Sequence, residues 1–204
     1  MRCALLTAAY VNRVNPILGK SMDIFTAIDT RASAVRLDAP APSPDDLDRI
    51  MRSALRGPDH GRLSPWRFVV LEGPAREVLA DAMAALLKRK MPDCNDATLD
   101  NERAKARRAP MVVAVAARVN REHKVPEIEQ IMAVAAGVQN MLLAANALGY
   151  GAMWKTGDAA YDASVKAALG LEPTDHIVAF LYLGKPLASA KPRDVPLNGM
   201  VKVL

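Results

Sequence analysis

The chain has 204 residues, 51% of them apolar, and a formal net charge of +5. That length suits one domain with a sizeable core, and a charged fraction of 24% excludes a disordered chain. The modest positive charge fits anionic ligands but does not by itself imply nucleic acid. Cys3 and Cys94 lie far apart and form neither a disulfide framework nor a metal cluster, which fits a reducing, cytoplasmic compartment.

In residues 1–21, Arg2 followed by CALLTAAYV faintly resembles a signal peptide, but the apolar run is short and no A-x-A site follows it. The expectation is a non-essential extension at 1–21 and one compact domain at 22–204. Asp23 to Thr30 reads as a short helix with Ile24, Phe25, Ala27 and Ile28 as its apolar face. The helix stops at Arg31–Ala32–Ser33–Ala34–Val35–Arg36, an irregular segment with cations around a hydroxyl. After the extended Pro40–Ala41–Pro42 stretch, Ser43 caps a helix with Pro44 at its first position and Asp45 and Asp46 in its first turn. Leu47, Ile50, Met51, Ala54 and Leu55 recur at helical spacing and are expected to face inward.

Glycine and proline end that helix at Arg56–Gly57–Pro58–Asp59–His60–Gly61. Ser64–Pro65–Trp66 leads into a strand over 68–71, and a helix follows over 75–90, closing on Lys88–Arg89–Lys90, the charge sign that suits a helix C-terminus. Residues 91–101 read as a loop and 102–108 as a charged helical piece. Its basic run, Arg103, Lys105, Arg107 and Arg108, has no aromatic for stacking bases and reads as a solvated face. Met111 to Ala117 is continuously apolar, as in a strand covered on both faces.

Between Ile131 and Leu148 the only polar side chains are Gln139, Asn140 and Asn146. A helix apolar all round must be covered on more than one side. Its length raises a membrane span, but three amides, a glycine and many alanines make a weak one. Gly149 and Gly151 turn the chain, and Ala152–Met153–Trp154 reads as a short strand delivering Lys155–Thr156–Gly157 to a loop. A helix over 163–169, a core strand over 177–183 and an irregular tail with Lys191–Pro192–Arg193 complete the chain. About four strands among five or more helices make an α+β sandwich, helices packed around one sheet.

There is no G-x-G-x-x-G, no G-x-x-x-x-G-K-[ST] and no G-x-S-x-G, which argues against a Rossmann nucleotide domain, a phosphate-loop NTPase and a serine hydrolase elbow. His60, His123 and His176 lack metal-ligand spacing, so no metal is expected. An enzyme built this way would borrow its chemistry from a cofactor. Arg31 with Ser33, Arg56 with His60, Lys155 with Thr156, and Arg193 each sit beside a turn. Guanidinium and hydroxyl donors in loops suit phosphate oxygens.

Those segments carry a resemblance to the FMN-dependent nitroreductase family, in particular its compact homodimeric branch of NAD(P)H nitroreductases. The matching stretches are Arg31–Ala32–Ser33, Arg56 to His60 with Pro65–Trp66, His123–Lys124–Val125–Pro126, AANALGYGAMWKTG and FLYLGKP. The resemblance implies a nitroreductase-like α+β sandwich, a mostly antiparallel sheet wrapped by helices, with the long apolar helix in a dimer interface. It implies two FMN molecules at the subunit boundary. Arg31 and Ser33 would hold the phosphate and ribityl end, with Ala32 replacing an arginine often found there. Arg56 and His60 would reach FMN from the partner, Trp154, Lys155 and Thr156 would lie beside the ring and phosphate, and Arg193 would be a late phosphate ligand. The implied activity passes electrons from NADH or NADPH through FMN to a nitroaromatic, quinone or similar small acceptor by a ping-pong mechanism, with no protein residue as catalytic acid or nucleophile. No membrane or nucleic-acid partner is expected. Two alternatives stay open: another flavoenzyme on the same fold (a dehalogenase, an ene-reductase or a flavin-fragmenting enzyme), and a non-enzymatic flavin-binding redox protein.

Overall fold

In the computed structural model, residues 22–188 and 190–204 are described; the expected extension at 1–21 lies outside them. The apolar run Met111–Ala117 forms β3, and all seven of its residues are buried. It is flanked by β2 (Trp66–Glu72) and by β5 (His176–Pro186), the last strand in the chain. The β2–β3 register runs antiparallel from Trp66 opposite Ala117 to Glu72 opposite Met111. Met111 lies opposite Leu183 on the other side, with a register shift between Val115 and Ala116. β5 also pairs with β4 (Gly151–Lys155) and with the two-residue β1 (Leu37–Asp38). All strand pairings are antiparallel, and one isolated parallel bridge joins Ser33 to Ala152.

Alternation along the strands divides the core in two. Val112, Ala114, Ala116, Phe180 and Tyr182 face a layer made by α3 (Arg76–Lys90), α4 (Asp96–Ala106) and α6 (Ala163–Ala168). Val113, Val115, Ala179, Leu181 and Leu183 face α2 (Pro44–Ala54) and the long α5 (Glu127–Ala147). The expected α+β sandwich is therefore the observed one.

Several elements differ from the sequence reading. Residues 91–101 hold a helix start, because the Asn95 side chain accepts from the Thr98 amide at 2.9 Å and opens α4. α5 begins at Glu127, ahead of its apolar run. In α1 (Ile24–Thr30) only Ala27 is buried, and Ile24, Phe25 and Ile28 are exposed rather than inward. In α2, Ile50 and Ala54 are buried and Leu47 and Met51 pack beside them, while Leu55 is exposed.

α5 is long and apolar enough to cross a membrane by length and composition alone. Here its Val134, Val138, Met141 and Ala145 pack on the sheet and α2. Gly137 permits the approach of α2: a Cβ there would meet Trp66 Nε1 at 2.7 Å and the Ala54 carbonyl at 2.8 Å. The N-terminus of α5 is tied by buried Gln130. Its Oε1 accepts from the Asn120 amide at 2.8 Å, and its Nε2 donates to the Asn120 and Val125 carbonyls, both at 3.0 Å. That staple fixes the His123–Lys124–Val125–Pro126 segment, so the motif is a shaped loop rather than a row of ligands.

Candidate functional site

Arg31 follows directly on α1, and two residues later the chain adds to the sheet. Ser33 bridges Ala152, and the Ala34 amide donates to the Ala152 carbonyl at 3.0 Å. β4 thereby carries Trp154, Lys155 and Thr156 away from the Ser33 bridge, about 10 Å along at 3.3 Å per residue. Gly151 makes this approach possible, because a Cβ would lie 2.6 Å from Leu37 and 2.9 Å from Ala34.

Arg31 and Arg193 line one cleft of about 570 Å³, between the end of α1 and the C-terminal tail. Asp29 and Asp194 line it too, yet neither arginine makes an ion pair among the described residues. Elsewhere most surface arginines are neutralised, such as Arg89 on Asp162 at 2.9 Å, Arg103 on Asp81 at 3.0 Å and Arg107 on Glu77. Two free guanidinium forks converging on one cleft suit an oxyanion. Ala32 is half-buried and Ser33 is exposed.

Trp154 and Lys155 take opposite faces of β4. Trp154 packs with the α5-side cluster, and its Nε1 donates to the Val178 carbonyl at 2.9 Å, which fixes the ring. Lys155 and Thr156 line a second cavity on the other face, under α3 and α4. Ala32, Ser33 and Trp154 line neither cleft, nor do Arg56 and His60. Arg56 is exposed just past α2, and exposed His60 places Nδ1 2.6 Å from Glu129 Oε2 at the start of α5. His60 opens a tight loop in which Gly61, Arg62 and Ser64 have φ of 78°, 54° and 51°. Left-handed geometry is costly for Arg62 and Ser64, and strain of this kind gathers at ligand sites. The Ser64 amide, donating to Asp59 Oδ2 at 2.8 Å, holds the loop closed.

The structure thus groups Arg31 with Arg193, bridges Ser33 to the strand that bears Trp154 and Lys155 and leads to Thr156, and leaves Arg56 and His60 apart from both. Sequence reasoning missed Glu129, the partner of His60, although its place in the first turn of a helix invites a cation opposite. It also missed Tyr150, whose hydroxyl donates to Asp46 at 2.9 Å while Lys185 sits 4.7 Å over its ring. Burial first, then the Asp46 carboxylate, raises the Tyr150 phenol above its ordinary value.

Known proteins are similar to this chain in sequence and in fold. The nitroreductase family model matches residues 28–185. A protein of Escherichia coli (strain K12) named "Putative NAD(P)H nitroreductase YdjA" is 37% identical over 171 residues, 83% of this chain and 91% of that protein. A similarly named Haemophilus influenzae protein is 32% identical over 83% of this chain and 92% of its own. Among solved structures, a nitroreductase-like family protein from Bacillus cereus superposes with a TM-score of 0.76 at 21% identity, over 92% of this chain and 99% of that one. A Desulfovibrio desulfuricans structure described as a "putative nitroreductase in complex with fmn" gives a TM-score of 0.69 at 26% identity, over 87% and 94%. By sequence and by fold, this chain belongs to the nitroreductase family.

Proposed function

We propose that the protein is a homodimeric FMN-dependent oxidoreductase that takes electrons from NADH or NADPH and passes them to a nitroaromatic, quinone or similar small acceptor in a ping-pong cycle. The observation that carries this reading is the pair of guanidiniums, Arg31 and Arg193, without an ion pair among the described residues, in one cleft joined through Ser33 to the strand bearing Trp154. The donor set fits the flavin at both ends. Arg31 and Arg193 hold the phosphate, with Ser33 and the Ala32 backbone at the ribityl chain. Trp154, fixed by its bond to Val178, walls the ring. Arg56 and His60 reach the cofactor from the second subunit, which accounts for their standing apart within one chain.

Bound FMN supplies the two-electron chemistry. The protein's residues bind and orient the flavin, and Lys155 or Arg56 places positive charge near its ring. Relatives named NAD(P)H nitroreductases and the FMN named with the Desulfovibrio desulfuricans structure support the same assignment.

The test is a visible spectrum of the purified protein, followed by anaerobic NADH or NADPH. The expected result is a yellow protein that bleaches and regains colour on adding a nitroaromatic or quinone. Arg31→Ala and Arg193→Ala should each weaken FMN binding roughly ten- to hundredfold, the worth of a charged hydrogen bond. A colourless protein that takes up no added FMN would overturn the reading.

A further inference from the structure

On the face of the sheet turned away from α5 lies a cavity of about 480 Å³, roofed by α3 and α4 and floored by β5. It shares no lining residue with the Arg31–Arg193 cleft, and the size is that of pockets holding small organic ligands. Its interior is apolar, with Met83 and Leu86 on the roof and Phe180 and Tyr182 on the floor. Tyr182 is only 4% exposed, yet among the described residues its hydroxyl makes no hydrogen bond. The hydroxyl is not one of the fully buried unpartnered atoms; it is open to the cavity and can donate to a group bound there. Burial raises this phenol above its ordinary value, outweighing the opposing pull of Arg108, so it stays protonated and can donate.

The rim supplies charge. Lys90 is neutralised by Asp158 at 2.6 Å and Lys105 by Glu102 at 2.5 Å. Arg108 and Lys155 carry no such partner among the described residues. The basic run of α4 is thus split in two. Arg103 and Arg107 bind acids of α3, whereas Lys105 and Arg108 line the cavity.

From this arrangement we infer a second ligand site, distinct from the flavin cleft, for a small organic anion with a flat apolar body and one carboxylate. The body lies on Phe180, Tyr182 and Met83. The carboxylate meets the Arg108 fork and accepts a hydrogen bond from the Tyr182 hydroxyl, a charge-assisted pair of donors. The inference does not depend on the flavin assignment, because its donors, Arg108 and Tyr182, have no part in that site.

The probe is 2-naphthoate, titrated by calorimetry into the full chain with FMN saturating and with FMN omitted. One molecule per subunit should bind in both conditions. Arg108→Gln, a surface change, should weaken binding about tenfold, and Tyr182→Phe, which keeps the ring, about threefold or more, with thermal midpoints near the parent value. Absence of binding at millimolar naphthoate would overturn the inference, as would affinity indifferent to both substitutions. Competition by FMN would assign the cavity to the flavin site instead. Displacement by equimolar inorganic phosphate would show an anion site with no use for the apolar floor, and the assignment would fall.

Discussion

Asp162 shows how much one carboxylate can organise. It caps α6 by accepting from the Ser164 and Val165 amides at 3.0 and 3.1 Å, and it takes Arg89 at 2.9 Å from the end of α3. The Ser164 hydroxyl, then Arg89 and the Val165 amide, outweigh partial burial and lower its pKa from 3.8 to about 2. A folded value below the unfolded one means the stabilisation is whole above the ordinary carboxylate value and is lost as pH falls toward 2. Asp162→Asn keeps a capping side chain but not the charge. The variant should be less stable by about 1–2 kcal/mol at neutral pH, the gap closing between about pH 4 and pH 2. Urea unfolding across that range checks it, and parallel curves for the two proteins would refute it.

At the scale of elements, the contact between α5 and α2 is set by a missing side chain. Gly137 lets Ala54 and Trp66 close on the helix, and the Trp66 indole N–H is buried there without a partner among the described residues. Gly137→Ala should destabilise the fold by about 1–3 kcal/mol through overpacking, seen as a lower urea midpoint; an unchanged midpoint would mean that the two helices separate freely. The glycine was visible in the apolar run, but its partners lie in another helix and a strand, which periodicity cannot reach. Strong patterns were legible for the same reason weak ones were not. β3 announced itself by unbroken apolarity, and α2 by its Ser43 cap, which accepts from the Asp46 amide at 3.2 Å. α4 buries fully only Ala106 and leans on ion pairs to α3, so no apolar stripe marked it. β1, two residues long, is shorter than any period. Arg31 and Arg193 could be named as candidates from their turns, but only folding puts them in one cleft. Tyr182 looked like plain core, because a sequence does not tell a satisfied hydroxyl from an idle one.

The whole molecule leaves apolar surface where the sequence reading wanted cover. Phe25 is 73% exposed, and Ile128 and Met132, one turn apart on α5, are each 60% exposed. Ile128 and Met132 form an apolar pair at the start of α5, the opposite end from Asn146, which holds α1 and Phe25; a second copy packed on such exposed side chains would complete the proposed flavin site. Ile128→Glu combined with Met132→Lys should shift the protein from dimer to monomer at micromolar concentration in sedimentation equilibrium and lower its FMN content; an unaltered dimer would place the interface elsewhere. The order of the strands has a further consequence. β5 is the shared partner of β1, β3 and β4, and it is the last strand made. As the nascent chain leaves the ribosome, β3 therefore waits with one edge of its ladder bare, its apolar residues open to pairing with other chains. A translational pause before residue 186 would prolong that hazard.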